Sequence, residues 1–142
     1  MLNVLLIEDN PVPAKTISGL LTRLGHSVKH VVGMRRASAS QFWALLPTEE
    51  KLELKDHPWE EVDLSQFHVA IVDGMLIGKL HGWDAVPALV RAGLTCIAIS
   101  SEETLNKRMQ EQGAQCACVK DRCAFVLPSL LSSVQQSLEK AG

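Results

Sequence analysis

Residues 3–10 read NVLLIEDN and residues 67–73 read FHVAIVD. In each, an apolar run with no polar alternation stops at a carboxylate. Such runs suit strands covered on both faces, as in a parallel sheet. After the first run, Pro11 and Pro13 fit the opening turn of a helix and not its interior. Ile17, Leu20, Leu21 and Leu24 then recur at helical spacing, and Gly25 stands where a C-terminal cap belongs. The rhythm predicts further strands at 27–32, 67–72, 95–99 and 115–119. It predicts helices at 34–46, with Ala37, Phe42 and Leu45 inward, and at 82–92, with Pro87 near the first turn. A polar helix at 102–112 carries Leu105 and Met109, and Ser100 with Glu103 fits a capping box at its start. The last helix, 124–140, carries the apolar stripe Leu127, Leu131, Val134 and Leu138. Five strands alternating with five helices imply an α/β fold: a flavodoxin-like, doubly wound parallel sheet of strand order 2-1-3-4-5, with helices on both faces.

The chain of 142 residues has room for a single domain, 1–142, and is long enough to bury a core without staples. Fourteen basic and sixteen acidic residues leave a formal charge of −2, which argues against a global basic field for nucleic acid or an anionic membrane. No apolar run approaches the roughly 18 residues of a membrane span. The first apolar run lacks a basic flank and meets Glu8 and Asp9, unlike a signal peptide. Four cysteines in such a chain point to a reducing cytoplasm and not to a disulfide scaffold. One segment breaks the rhythm. Residues 47–66 separate the second helix from the third strand by more than an ordinary connection. Between Thr48 and Asp63 lie seven acids and two bases, a local charge of −5, so the rest of the chain is at +3. This acidic insertion reads either as a solvated loop or short extra helix, or as an acidic docking surface.

In a doubly wound sheet, ligands sit beyond the carboxyl ends of the strands where the strand order reverses. The first strand ends in Glu8 and Asp9, the third in Asp73, the fourth in Ser100 and the fifth in Lys120. Three carboxylates converging there repel unless neutralised. A hard divalent cation with oxygen ligands such as Mg2+ is the natural remedy. Carboxylates, a hydroxyl and an ammonium at neighbouring strand ends are the parts of a phosphoryl site.

VLLIEDN, VAIVDGM, IAISS and GAQCACVK, each at its proper strand end, resemble the receiver domain of two-component response regulators over nearly the whole chain. The resemblance implies that Asp73 is the nucleophile accepting phosphoryl from a phosphohistidine donor. It implies that Asp9 ligates Mg2+ directly, that Glu8 orients the metal or acts through its water, and that the Met75 carbonyl completes the protein ligands. Ser100 and Lys120 would bind the phosphoryl oxygens, and Met75 and Glu102 match positions that tune dephosphorylation. The partners it implies are a sensor histidine kinase or histidine phosphotransfer protein and a downstream protein target, with no direct nucleic acid and no membrane insertion. The chain would be a cytoplasmic phosphoprotein of phosphorelay signal transduction and not an enzyme beyond self-phosphorylation and self-dephosphorylation. Because the sequence ends with the last helix, it reads as a stand-alone receiver whose partner face is the fourth helix, fifth strand and fifth helix. Three departures bear on the switch: Asp121 stands where a proline usually follows the lysine, Ala117 replaces an aromatic, and Ile77 replaces a proline, with Gly82 one residue late.

These departures motivate an alternative, a receiver-like protein-binding module acting without phosphorylation. A third possibility is a cysteine-based metal or redox protein. Cys116 and Cys118 alternate along one strand and share a face, Cys96 lies on the neighbouring strand and Cys123 opens the last helix. The spacing is not that of a zinc knuckle, so the cysteines read first as small core residues. The five histidines show no ligand spacing, and His81 is nearest the site in sequence.

Overall fold

The computed structural model describes residues 1–36, 42–47, 58–74 and 82–141. Five strands form a parallel sheet: β1 (Asn3–Ile7), β2 (Ser27–Val31), β6 (Val69–Asp73), β7 (Thr95–Ser100) and β8 (Cys116–Val119). Their order is β2-β1-β6-β7-β8, the expected 2-1-3-4-5 of a flavodoxin-like sheet. Alternation along the strands divides the core in two. Val4, Leu6, Ile71, Ile97 and Ile99 face α1 (Pro11–Arg23) and α4 (Cys123–Ala141), meeting Ile17, Leu21, Leu127 and Leu131. Leu5, Ile7, Ala70, Val72 and Ala98 face the opposite layer, which includes α2 (Gly82–Arg91) and α3 (Glu103–Glu111) through Val86, Leu89 and Met109.

The helix expected at 34–46 does not form over its described residues, and Ala37, expected inward on it, lies outside them. In its place β3 (Gly33–Arg36) and β4 (Phe42–Leu45) join β5 (Trp59–Val62) in an antiparallel sheet of order β3-β4-β5. Met34, Ala44 and Val62 enter the same core cluster as Leu5 and Val31, so this small sheet covers the area a helix was expected to cover. The physical reason is non-local pairing. Phe42–Leu45 (FWAL) is rich in residues that fit a pleated surface. Its second partner, WEEV at 59–62, lies inside what was read as an insertion. Phe42 packs against the core and Leu45 is buried, as expected for inward residues, but from a strand. Val32 N–H donates to the Leu45 carbonyl at 2.8 Å, tying the end of β2 to β4, and Arg35 stacks its guanidinium 4.5 Å above Trp59.

The acidic insertion is therefore bounded differently. Its described end is β5 followed by a 3-10 turn, Leu64–Gln66, capped by Asp63 through the Ser65 amide at 3.0 Å. Glu60 and Glu61 are exposed on β5. Residues 48–57 lie outside the described residues.

Local signals at the helix ends are mostly as read. Asn10 caps α1, its side chain accepting from the Val12 amide at 3.1 Å with Pro11 at the first helical position. Gly25 ends the helix at φ +87°, a conformation that costs a residue with a Cβ. The capping box at α3 does not form. The N-cap is Glu102, and the Ser100 hydroxyl instead accepts the Glu102 amide at 3.1 Å. The stripe on α4 buries Leu127, Leu131 and Val134 but leaves Leu138 41% exposed. Among the described residues no helix is long and apolar enough to cross a membrane.

Candidate functional site

Parallel pairing places the expected residues side by side. Ile7 is opposite Val72, so Glu8 and Asp9 leave β1 where Asp73 ends β6. Ser100 is opposite Val119, and Lys120 is the next residue. Glu8, Asp9 and Asp73 bring carboxylate oxygens within 4.8 Å of one another. Glu8 is fully buried, Asp73 is 4% exposed and Asp9 is half-buried. Lys120 reaches into the group from the turn Lys120–Arg122. Its ammonium donates to Glu8 Oε1 at 3.1 Å and lies 3.0 Å from Glu8 Oε2 and 3.1 Å from Asp73 Oδ2. The Oε2 contact lacks hydrogen-bond direction, so this buried oxygen has charge contact but no hydrogen bond.

The electrostatics follow from three acids sharing one ammonium. Burial, followed by the Asp73 charge, pushes the Glu8 carboxyl up to about 7, and Lys120 only partly offsets this. Burial and the Asp73 charge likewise raise Asp9, which also shares a side-chain hydrogen bond with Asp73. Burial works against the charge on Lys120, but its bond to Glu8 and the charge of Asp73 win, holding it above the ordinary lysine range. The pocket is short of positive charge. A compact cluster of hard oxygens, one of them buried and without a hydrogen bond, suits a small hard cation such as Mg2+. Met75, expected to add a carbonyl, lies outside the described residues, as do Ile77 and His81.

Ser100 is 3% exposed at the end of β7. Its oxygen already accepts the Glu102 amide, which leaves the hydroxyl proton for another acceptor. Ala117 is half-buried on β8, and no ring occupies that position.

Three positioning residues escaped sequence reasoning. His30 on β2 donates from Nε2 to the Glu8 carbonyl at 2.7 Å, fixing the backbone that carries the acidic pair. The Asn10 amide donates to Glu8 Oε1 at 3.1 Å. Asn106, buried in the polar helix α3, donates from Nδ2 to the Cys118 carbonyl at 3.1 Å and the Ser100 carbonyl at 3.5 Å, linking the two strand ends that present Ser100 and Lys120. A buried asparagine in an otherwise charged helix was the available signal. Gly74 is the other close fit. A Cβ there would stand 3.1 Å from Leu105 Cβ, so α3 packs directly on the residue after Asp73.

The cysteines do not assemble a metal centre. Cys96 faces the α2–α3 layer, whereas Cys116 and Cys118 face α1 and α4. Among the described residues the metal-capable cluster of three or more ligands is the carboxylate one.

No protein-family profile matches the sequence, and no curated protein is detectably similar to it. Solved structures do match in shape over nearly the whole chain. A two-component response regulator from Clostridium difficile superposes with a TM-score of 0.67 at 9% identity, over 97% of this chain and 98% of that one. A CheY-like response regulator receiver domain protein from Methanospirillum hungatei JF-1 gives 0.67 at 16% identity, over 100% and 99%. The BeF3-activated DrrB receiver domain gives 0.64 at 20% identity, over 96% and 98%. At such identities the likeness speaks for architecture, and the architecture is plain: the chain has the fold of a response-regulator receiver domain.

Proposed function

We propose that the chain is a Mg2+-dependent phosphoacceptor of two-component signalling, phosphorylated on Asp73. The observation that carries this is the convergence of Glu8, Asp9 and Asp73 within 4.8 Å, with Lys120 3.1 Å from Asp73, at the switch point of a receiver fold. Glu8, Asp9 and Asp73 would hold the metal, and the resemblance adds the Met75 carbonyl. When bound, Mg2+ would supply positive charge that stabilises the equatorial oxygens of the phosphoryl group.

The chain's own groups divide the remaining work. An Asp73 carboxylate oxygen attacks the phosphorus of a phosphohistidine or small phosphodonor. The new P–O bond forms as the bond from phosphorus to the donor breaks, P–N in phosphohistidine and P–O in acetyl phosphate, and the histidine nitrogen or the acetate oxygen leaves with the electron pair. Lys120 lies beside Asp73 Oδ2, so it can follow a phosphoryl oxygen with a short move. The Ser100 hydroxyl donates its remaining proton to another of those oxygens. His30, Asn10 and Asn106 hold the strand ends and move no proton.

On this reading the donor is a sensor histidine kinase or histidine phosphotransfer protein. The output is contact with a downstream protein through α3, β8 and α4, where a groove runs past Glu103, Lys107, Ala117, Arg122 and Val126. The protein is then a signalling acceptor whose only turnover is its own phosphorylation and dephosphorylation. The test is intact mass after incubation with Mg2+ and acetyl phosphate. Addition of one phosphoryl group, abolished by Asp73→Asn and by chelation, supports the proposal. No addition to the folded wild-type chain overturns it. Ala117, which leaves no ring to swing behind Ser100, favours one second reading, a binding module that acts without phosphorylation. That reading gains if the mass is unchanged and Mg2+ does not raise the melting temperature.

A further inference from the structure

Cys118 and Cys123 have no part in the site above, yet they form the closest thiol pair in the described structure. Cys118 lies on the last strand and Cys123 opens α4, and their sulfurs are 3.1 Å apart. Both are buried, at 6% and 2% exposure, and both are reduced. The five-residue step between them contains the 3-10 turn Lys120–Arg122, so the pair straddles the residue that holds Glu8 and Asp73. Each of the two residues lines a different surface groove. Cys123 lines one with Val12, Thr16 and Lys120, and Cys118 lines one with Asn106 and Val126. The two grooves bring solvent up to the two residues from opposite sides. A disulfide needs an S–S distance of about 2.05 Å, so the sulfurs must close by about 1 Å.

We propose that Cys118 and Cys123 are a redox-active pair that a hydroperoxide converts to an intramolecular disulfide across the turn carrying Lys120. The two sulfurs differ. The hydrogen bond between the two sulfurs holds the Cys123 thiol below its ordinary range despite burial, and the Lys120 charge helps. The same bond and burial raise Cys118. Cys123 opens α4, where the positive end of the helix favours a thiolate, so it is the attacking sulfur and Cys118 the resolving one. Cys123 sulfur attacks one oxygen of hydrogen peroxide. The S–O bond forms, the O–O bond breaks, and the departing hydroxide leaves as water with the thiol's proton. Cys118 sulfur then attacks the sulfenic sulfur. The S–S bond forms, the S–O bond breaks, and a second water leaves with the Cys118 proton. Two thiols lose two protons and two electrons, and one peroxide becomes two waters. The product pins the end of β8 to the start of α4 and so restricts the turn from which Lys120 reaches the acidic pocket.

The experiment uses the full chain, exposed to hydrogen peroxide, quenched, denatured and blocked with N-ethylmaleimide. Lys120 and Arg122 lie between the two cysteines, so trypsin cuts between them and only a disulfide keeps the fragments joined. The expected result is that two of the four thiols escape blocking. The fragment ending at Lys120 should stay linked to the fragment beginning at Cys123, and a thiol reductant should restore all four. Cys116→Ser should link as the wild type does, while Cys118→Ser and Cys123→Ser should not. Four blocked thiols after peroxide overturn the proposal. So does a link through Cys116 or Cys96, a link between two chains, or sulfinic acid at Cys123 with no link. The linked wild-type fragment ending at Lys120 carries both Cys116 and Cys118, so tandem fragmentation of that peptide assigns the bridging sulfur even if a serine variant folds poorly.

Discussion

Glu8→Gln tests the charge balance of the pocket most directly. Glutamine keeps the shape of glutamate and an oxygen for the Asn10 amide, and it mimics the protonated acid. Burial and Asp73 move the Glu8 carboxyl from 4.5 to about 7. The shift is already net of Lys120, because that pairing acts in the opposite direction within it. A folded value above the unfolded one means the native state binds the proton more tightly. Its contribution is complete below 4.5 and is lost as the pH rises through about 7. A rise from 4.5 to about 7, at 1.36 kcal/mol for each tenfold gain in proton affinity, makes about 3 kcal/mol. The variant, which never ionises, should therefore exceed the wild type by about 3 kcal/mol at pH 8, about 2 at pH 6 and nearly nothing at pH 4. For a chain of this length the first difference is roughly 10 °C in melting temperature. Urea unfolding at the three pH values, in chelator, measures it. Added Mg2+ should reverse the order by stabilising the wild type more. A variant less stable than wild type at pH 8 without metal would falsify the reasoning, since the Lys120 pair would then outweigh burial and crowding. A pH-independent difference would refute it equally.

Asp73→Asn should raise the metal-free melting temperature, since it removes the charge that raises both Glu8 and Asp9; a lower value than wild type in differential scanning fluorimetry counts against a crowded pocket. Gly74→Ala should cost about 1–3 kcal/mol in urea unfolding, because the new Cβ meets the Cβ of Leu105, which can move only with α3. Asn106→Ala should cost about 1–2 kcal/mol by leaving the Cys118 carbonyl without its 3.1 Å donor, and amide exchange at the end of β8 should rise with it. His26 accepts the Leu2 amide on Nδ1, and burial lowers its affinity for a proton. Its contribution is present above pH 6.5 and is lost as the pH falls through its lowered value, so His26→Gln should flatten the acid side of the stability curve measured by unfolding.

The parallel sheet was readable because each of its strands carries its own evidence. NVLLI, VAIVD and TCIAIS are buried on both faces, and the right-handed crossover rule then leaves few orders for them. The antiparallel sheet was unreadable for the converse reason. FWAL is four residues long, too short for its period to separate strand from helix, and Ala37, Phe42 and Leu45 gave only a loose helical spacing. What decides its state is a partner beginning at Trp59, and the charges of Glu60 and Glu61 disguise that partner as a solvated segment. In β5 those acids are exposed, while Val62 is buried and enters the core. Seen in place, the acidity belongs partly to one exposed strand and not to a free loop.

The site divides along the same line. Glu8, Asp9, Asp73, Ser100 and Lys120 could be found because each terminates a strand whose place in the sheet was already fixed, so topology alone brought them together. His30, Asn106 and the sulfur pair could not be found that way, since their roles depend on where a side chain points after packing. His30 precedes the end of β2 and bonds a carbonyl two strand positions beyond its register partner, Leu6. Asn106 looked like one more polar residue on a polar helix until α3 settled on Gly74 and buried it. Cys118 and Cys123 are five residues apart in sequence, a spacing that means nothing in a strand or a helix alone. A strand end, a 3-10 turn and a helix start must come in succession for their sulfurs to meet. That succession is also what aims Lys120 inward, so the geometry that completes the acidic pocket and the geometry that pairs the thiols are one turn of backbone.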